Sequence, residues 1–361
     1  MMDRKRKWII GISVALTAIF CAFGAGCGAS QDGGKLSAPE NVRIEKRVLY
    51  WDEVKNADYY VVSASNGKKY ETTECQLTLI DFQKSGNYEF KVFAKSHGEK
   101  YEVSTYGAVT HYLAAPVAEG EDNYHFKYKW VEELNGYEVS IGNAVLQEEV
   151  VIPDYFRDYP VKKIALHGFH FKTYNYTYDK YENDCVWYNG RGCNEITKSL
   201  QLPKYLEMID QYAFWCWTSL EELVIPEGVT EIAYSAFKDC KGLKRVTFPD
   251  GLKTIGAGAF ANTALETLDL PDTLTSIGAG AFGCSTVKDE YSSIIKYHHV
   301  DSELSRVVIP KFIKNVNFLN GRENLTTIVL QGVEYTYSAT QPTEEGNFWR
   351  YDGIGRVVFW E

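Results

Sequence analysis

Histidine and cysteine are the residue types in this 361-residue chain that could hold a metal ion. His298 and His299 are adjacent and have acidic neighbours, but no histidine follows at helical spacing and no Cys-x-x-Cys accompanies them. A second candidate set has two histidines three residues apart and two later cysteines, a spacing unlike the usual zinc patterns. We therefore expect no metal centre and no cofactor. The members of this second set are His167, His170, Cys185 and Cys193.

Motifs for catalysis are also missing from the sequence. Residues 278–283 read GAGAFG, which has the spelling of a dinucleotide-binding loop. Residues 256–261 read GAGAFA, so these glycines recur with a repeated unit and no βαβ pattern surrounds them. The chain has no GxSxG, HExxH or phosphate-binding motif. We therefore expect that the protein is not an enzyme.

The first 26 residues have the pattern of an export signal. A basic start, MMDRKRK, precedes an apolar run from Trp8 to Phe23, which is short for a membrane span and typical of a secretory signal. Gly24, Ala25 and Gly26 then precede Cys27, and this end resembles a bacterial lipoprotein signal. The resemblance implies cleavage before Cys27, lipidation of its thiol and attachment to the outer face of a bacterial membrane. A plain cleaved signal and a retained anchor are the alternatives.

The remaining chain is acidic, and its first segment is polar. The net charge is −10, and removing the +3 of the signal leaves −13. Nucleic acid is an unfavourable partner for such a chain, because phosphates bind Lys and Arg clusters. Residues 27–37 are rich in Gly and Ser and predict a flexible tether. Among the later cysteines only Cys185 and Cys193 form a plausible pair, and we expect the others to be small buried residues.

Residues 38–113 predict a β-sandwich. Six short segments alternate between apolar and polar residues and are separated by turn signals such as Asn66-Gly67. Trp51 and the segment SGNYEFKVFAKS, which contains Tyr88, resemble a fibronectin type III module. The resemblance makes Trp51 the core tryptophan, Tyr88 the tyrosine-corner residue, and the module a spacer.

The rest of the chain repeats. Ala-Phe pairs end at Phe214, Phe237, Phe260 and Phe282, which are 23, 23 and 22 residues apart. A period of this length predicts a solenoid, in which each unit buries its apolar face against the next. The units resemble BspA-like (Treponema-type) leucine-rich repeats, which implies a leucine-rich-repeat solenoid over 137–332. Residues 114–136 are then a linker or N-terminal cap, and 333–361 a C-terminal cap.

Two insertions interrupt the repeat, near 170–193 and 285–303. Loops on a rigid scaffold often carry binding, and the first insertion is dense in aromatic residues. We interpret it as a surface for a partner, which Trp215 and Trp217 in the next turn would extend. The alternative is that the insertion folds over one flank and its aromatics form a small core. The aromatic residues of the insertion are Tyr174, Tyr176, Tyr178, Tyr181, Trp187 and Tyr188.

Two functions from different classes fit these features. The first is a lipid-anchored cell-surface protein that binds an extracellular protein or glycan. The second is a structural protein of the cell envelope without a specific ligand. An exposed cluster of aromatic residues beside Trp215 and Trp217 would favour the first function.

The lipoprotein assignment predicts the effect of removing one thiol. Cys27→Ala should abolish incorporation of labelled palmitate and leave the precursor uncleaved or the protein released. Unchanged labelling of the Cys27→Ala protein would show that Cys27 is not the lipidated residue.

Overall fold

The computed structural model describes residues 34–98, 101–170, 194–284, 302–322, 324–353 and 355–360, and the backbone at 286–288 and 295–297. These residues form strands and turns, with two 3₁₀ helices at Glu132–Leu134 and Asn317–Leu319 as their only helices. None of the described helices could cross a membrane. The prediction of a mainly β protein is confirmed. The predicted signal lies outside the described residues.

The N-terminal part is a β-sandwich of seven strands. One sheet has the order β1-β2-β5 and the other β4-β3-β6-β7. The sequence did not predict β4, which is a short edge strand with polar residues on its outer face. The strands are β1 (Arg43–Glu45), β2 (Val48–Tyr50), β3 (Tyr59–Ala64), β4 (Lys69–Thr72), β5 (Gln76–Thr78), β6 (Gly86–Lys95) and β7 (Tyr106–Leu113).

Two aromatic residues predicted to mark this sandwich have the expected surroundings. Trp51 is buried, and its ring meets the ring of Tyr60 edge to face at 5.3 Å. The hydroxyl of Tyr88 donates to the carbonyl oxygen of Lys84 at 3.0 Å, which ties β6 to the loop before it. The first residue fills the core, and the second fixes a corner.

Two parallel ladders form the solenoid that follows. The first has the order β10-β13-β15-β17-β19-β20, extended by β9 and β8 in antiparallel pairing, and the second has the order β11-β14-β16-β18. β12 pairs with β13 only. The strands are β8 (Glu119–Glu121), β9 (Lys127–Val131), β10 (Gly136–Ser140), β11 (Glu149–Val151), β12 (Tyr155–Phe156), β13 (Tyr159–Ile164), β14 (Ser199–Gln201), β15 (Met208–Ile209), β16 (Glu222–Val224), β17 (Glu231–Ile232), β18 (Arg245–Thr247), β19 (Thr254–Ile255) and β20 (Ser276–Ile277).

A phenylalanine ladder runs through the solenoid core. Successive rings stack nearly parallel with centroids 5.1, 5.2, 5.2 and 5.4 Å apart, and every ring is fully buried. The first unit, which has Gly168 where later units have Ala, still contributes its phenylalanine. The final unit, which lacks Ala-Phe, places Phe318 edge-on against the last ring at 6.1 Å. The stacked rings are Phe169, Phe214, Phe237, Phe260 and Phe282.

Each turn also uses a left-handed backbone residue directly before its Ala or Gly. Gly258 and Gly280 have φ values of +63° and +61° at this position. The conformation is free of strain for glycine and is rarely adopted by other residues. The GAGAFG sequence therefore serves the repeat turn, as its recurrence predicted. In the earlier units the same position is occupied by His167, Tyr212 and Ser235, with φ of +51°, +54° and +52°.

The C-terminal segment packs on the open end of the solenoid. β23 to β27 form a five-stranded sheet, and β21 pairs with β22 in antiparallel orientation. Trp349 and Val357, two of the residues expected to cover this end, are buried in the solenoid core. The strands are β21 (Thr286–Lys288), β22 (Ile295–Tyr297), β23 (Arg306–Ile309), β24 (Thr327–Leu330), β25 (Val333–Tyr337), β26 (Phe348–Tyr351) and β27 (Val357–Phe359).

A buried arginine joins the sandwich to the solenoid. Arg47, in the turn between β1 and β2, donates to the carbonyl oxygens of Phe82 at 3.1 Å and of Ala114. Its guanidinium lies 3.7 Å from the centroid of the Tyr159 ring, which belongs to the solenoid. Burial lowers the pKa of Arg47, while the nearby Tyr159 opposes that shift. Arginine stays charged in proteins, so these contacts stabilise a buried cation at the junction.

The phenylalanine ladder predicts a large stability difference between two phenylalanines. Phe237→Ala should lower the free energy of unfolding by about 3–5 kcal/mol, because it opens a cavity between two stacked rings. Phe312→Ala is the control, since this ring is 59% exposed, and it should change stability by less than about 1 kcal/mol. Urea unfolding followed by tryptophan fluorescence measures both, and equal losses would contradict a central role for the ladder.

Candidate functional site

Aromatic residues line the outside of the Ala-Phe turns in the first half of the solenoid. His167 stacks on Tyr212 with ring centroids 4.8 Å apart and an interplanar angle of 2°. His170 stacks on Trp215 at 4.9 Å and 17°. Tyr212 in turn meets Tyr234, which is 45% exposed, edge to face at 5.3 Å. We call these five residues the aromatic turn surface.

Trp215 is held in a fixed orientation. Its indole Nε1 donates to Oδ2 of Asp239 at 2.7 Å. The other carboxylate oxygen of Asp239 accepts from Nδ2 of Asn262 at 2.6 Å, and both Asp239 and Asn262 are buried. The ammonium group of Lys238 also lies 5.9 Å from the centroid of the Trp215 ring. The indole is therefore anchored at its edge while its side chain is only half-buried.

The fold itself does not require aromatic side chains at these positions. The position of His167 and Tyr212 is occupied by Ser235, Gly258 and Gly280 in later turns, with a similar backbone conformation. The position of His170 and Trp215 is occupied by Lys238, Ala261 and Gly283. Both positions thus tolerate the smallest residues, so the repeat itself does not require aromatic side chains there.

Trp217 was expected to extend this surface, and that expectation is wrong. Its side chain is fully buried, and its Nε1 donates to the carbonyl oxygen of Phe169 at 3.0 Å. Its ring meets the ring of Phe214 edge to face at 5.2 Å. The same position of the next unit is Cys240, whose thiol donates to the carbonyl oxygen of Phe214 at 3.3 Å. Trp217 therefore has a structural role that continues through the repeats.

The six aromatic residues predicted in the first insertion, from Tyr174 to Tyr188, lie outside the described residues. The described chain reaches this insertion at His170, which belongs to the aromatic turn surface. It resumes at Asn194, which is buried and whose N–H donates to the carbonyl oxygen of Cys216 at 2.9 Å. Both ends of the insertion therefore lie close to Trp215.

The expectation that Cys216 is a free buried thiol is also wrong, because Cys216 is disulfide-bonded. Among the other described cysteines, Cys75, Cys240 and Cys284 carry no disulfide. Sequence spacing did not indicate a disulfide at Cys216, which belongs to the turn that carries Trp215.

The described residues contain no group of side chains arranged as a metal site. No three His, Cys, Asp or Glu residues there are placed to share a metal ion. A groove of about 500 Å³ beside β8, β9 and β10 is lined in part by charged residues, and in it the ammonium group of Lys129 lies 3.8 Å from Glu138. The ammonium group of Lys163 lies 3.4 Å from Glu138 and 3.0 Å from Asp210. Burial opposes but does not cancel these contacts, which raise the pKa of Lys163 and keep it charged.

The sequence pointed to Trp215 but not to Tyr212 or Tyr234. His167 and His170 were candidates only as metal ligands, whereas each stacks on an aromatic ring. The missing signal was available in the repeat itself. Aligning the units on Ala-Phe places Tyr212 at a position where later units have Ser or Gly, which marks it as unnecessary for folding.

Comparison with known families agrees with the repeat assignment. Residues 207–320 match, in six copies, the family described as BspA type leucine rich repeat region. The solenoid is therefore of the leucine-rich-repeat type, and the matching family is not an enzyme family. No curated protein matches the sequence.

Several solved structures are similar to this chain. A leucine-rich repeat protein of T. pallidum has 24% identity and a TM-score of 0.43, over 58% of this chain and 82% of that one. A leucine-rich repeat protein of Bacteroides ovatus has 23% identity and a TM-score of 0.42, over 57% and 46%. The pneumococcal vaccine antigen PcpA has 22% identity and a TM-score of 0.32, over 60% and 65%.

The two neighbouring tryptophans should respond differently to truncation. Trp217→Ala should lower the free energy of unfolding by about 3–5 kcal/mol, because it empties a fully buried site. Trp215→Ala should cost only about 1–2 kcal/mol, chiefly through the lost hydrogen bond to Asp239. Thermal and urea unfolding of the two variants test this difference. A larger loss for Trp215→Ala would place that residue in the core.

Proposed function

We propose that this protein is exported, lipid-anchored at Cys27 and displayed on a bacterial cell surface, where it binds an extracellular protein or glycan. The observation that carries the proposal is the aromatic turn surface. Its aromatic residues occupy repeat positions where the fold accepts Gly, Ala or Ser, so folding alone does not explain them. Tyr and Trp are enriched where proteins bind partners, because they combine a large apolar face with a polar tip.

The first insertion completes the proposed binding region. Tyr174, Tyr176, Tyr178, Tyr181, Trp187 and Tyr188 would add contact area to the surface around Trp215. Supporting this placement, both described ends of the insertion lie beside Trp215, at His170 and Asn194. The role proposed for all of these residues is contact with a partner.

The sandwich is proposed to be a fibronectin type III-like spacer between the membrane and the solenoid. Its sheet orders, the buried Trp51 and the hydrogen bond from Tyr88 to Lys84 support that assignment. Through Arg47 the sandwich is fixed to the solenoid, so the spacer would set the orientation of the binding region.

A binding screen tests the proposed function directly. Purified residues 38–361 should bind at least one member of a panel of glycans, mucins and matrix proteins. The Trp215→Ala variant should bind it at least tenfold more weakly. Absence of binding across the panel would favour the alternative, a structural envelope protein without a specific ligand.

Substitutions in the insertion distinguish side chains that contact a partner from side chains that stabilise the fold. Trp187→Ala or Tyr178→Ala should weaken binding at least tenfold, or about 1.4 kcal/mol, because truncating an interface aromatic removes contact area. The thermal midpoint should stay nearly unchanged. Titration calorimetry and thermal unfolding measure the two quantities. A large fall in the midpoint with unchanged affinity would show that the insertion is a packing element.

A further inference from the structure

Two tyrosines from separate parts of the chain meet where the sandwich joins the solenoid. Tyr155 begins β12 and Tyr205 follows β14, while Tyr50 ends β2 in the sandwich. The rings of Tyr155 and Tyr205 meet edge to face at 5.1 Å. We call Tyr155 and Tyr205 the junction tyrosine cluster.

Cationic side chains surround this cluster. The ammonium group of Lys46 lies 5.1 Å from the centroid of the Tyr155 ring, and that of Lys204 lies 5.5 Å from the Tyr205 ring. The guanidinium of Arg43 lies 5.3 Å from the Tyr50 ring. Arg43 is paired with Glu45, whereas neither lysine makes an ion pair within the described part of the chain. Lys46 and Lys204 are thus unpaired cations on a chain of net charge −10, one beside the half-buried ring of Tyr155 and the other beside the exposed ring of Tyr205.

The nearest acid at Lys204 is already engaged. Oδ1 of Asp154 accepts a hydrogen bond from the backbone N–H of Lys204 at 2.7 Å. This contact holds the loop that carries Lys204 and Tyr205. The side chains of Lys46, Lys204 and Tyr205 are all exposed to solvent. A ligand could therefore reach both ammonium groups and the Tyr205 ring together.

The backbone of the turn that carries Lys46 does not favour its two basic residues. Lys46 and Arg47 are the two central residues between β1 and β2, and both have positive φ, +46° and +59°. Such a hairpin turn favours Asn-Gly, because side chains with a branched or long stem are strained there. Arg47 is explained by its buried contacts at the junction. Lys46 has only its position over Tyr155, which points to a role at the surface.

We propose that the junction tyrosine cluster, with Lys46 and Lys204, binds a carboxylate-bearing sugar residue of an extracellular polysaccharide. Tyrosine rings offer flat apolar faces for a sugar ring, and their hydroxyls can donate to and accept from sugar hydroxyls. The lysines supply compact positive charges for the carboxylate. This inference rests on the proposed role in extracellular binding and names a ligand class at a site separate from the aromatic turn surface.

The test compares two probes that differ only in charge. The full chain, purified in detergent, is titrated by calorimetry with tri-galacturonic acid and with its fully methyl-esterified form. The acid should bind at least tenfold more tightly than the ester, and binding should weaken as salt rises, since exposed charges are screened. Equal binding of acid and ester would overturn the proposal. Equal binding of triglutamate would also overturn it, because the site would then recognise anions in general.

Variants locate the binding. Lys46→Gln combined with Lys204→Gln, and separately Tyr205→Ala, should each weaken binding of the acid at least tenfold, while Tyr205→Phe should weaken it less. Lys311→Gln is the matched control, because Lys311 lies 5.6 Å from the Phe312 ring at the same position of a later unit. It should leave binding unchanged. Unchanged thermal midpoints establish that every variant is folded, and full binding by the double lysine variant would contradict this site.

The outcome separates this inference from the proposed function. If the chain binds a partner through Trp215 but does not bind tri-galacturonic acid, the junction site is wrong and the surface-binding function stands. If tri-galacturonic acid binds and depends on Lys46 and Lys204 while Trp215→Ala has no effect on any partner, the aromatic turn surface is the wrong site.

Discussion

Stacking of one phenylalanine from each turn is the interaction on which the solenoid depends. Phe214, Phe237 and Phe260 are spaced by 5.2 Å, close to the separation of neighbouring strands in a sheet. Each ladder phenylalanine also donates its N–H to the next turn, as Phe237 does to the carbonyl oxygen of Ala259 at 2.7 Å. Side-chain stacking and backbone pairing thus demand the same rise per turn. An insertion is tolerated only if the chain leaves and rejoins at this spacing.

In each turn, folding fixes the inward phenylalanine but allows the outward side chains to vary. Their left-handed residue is unstrained as Gly258 or Gly280, yet earlier turns use His167 and Tyr212 there. A non-glycine residue in this region costs about 1–3 kcal/mol. The core ladder is uniform, so it supplies stability that offsets this cost in the first turns. Side chains that face outward at the turn can then vary without disturbing the rings that face inward.

The sequence predicted the sandwich and the repeating core of the solenoid, and missed individual contacts that occur once. The repeat period was sufficient to predict the phenylalanine ladder, because every unit has its phenylalanine at the same inward position. It was not sufficient for Trp215 and Trp217, which are the same residue type two positions apart and face opposite ways. Comparison with Cys240 would have placed Trp217 inside. The contact between Arg47 and Tyr159 has no sequence signal, because it joins two units far apart in the chain.

That single contact has consequences for the whole molecule. Arg47 donates hydrogen bonds to Phe82 in the sandwich and to Ala114 in the segment after it. Its charge is stabilised by the Tyr159 ring of the solenoid. Burial raises the pKa of Tyr159 to about 12, so this phenol stays neutral and its hydroxyl can donate to Ala114 at 3.1 Å. The junction is thus a packed interface rather than a linker. The prediction of a flexible tether over 27–37 is wrong at its end, because Leu36 is buried in the sandwich core and its N–H donates to the carbonyl oxygen of Glu102 at 3.1 Å.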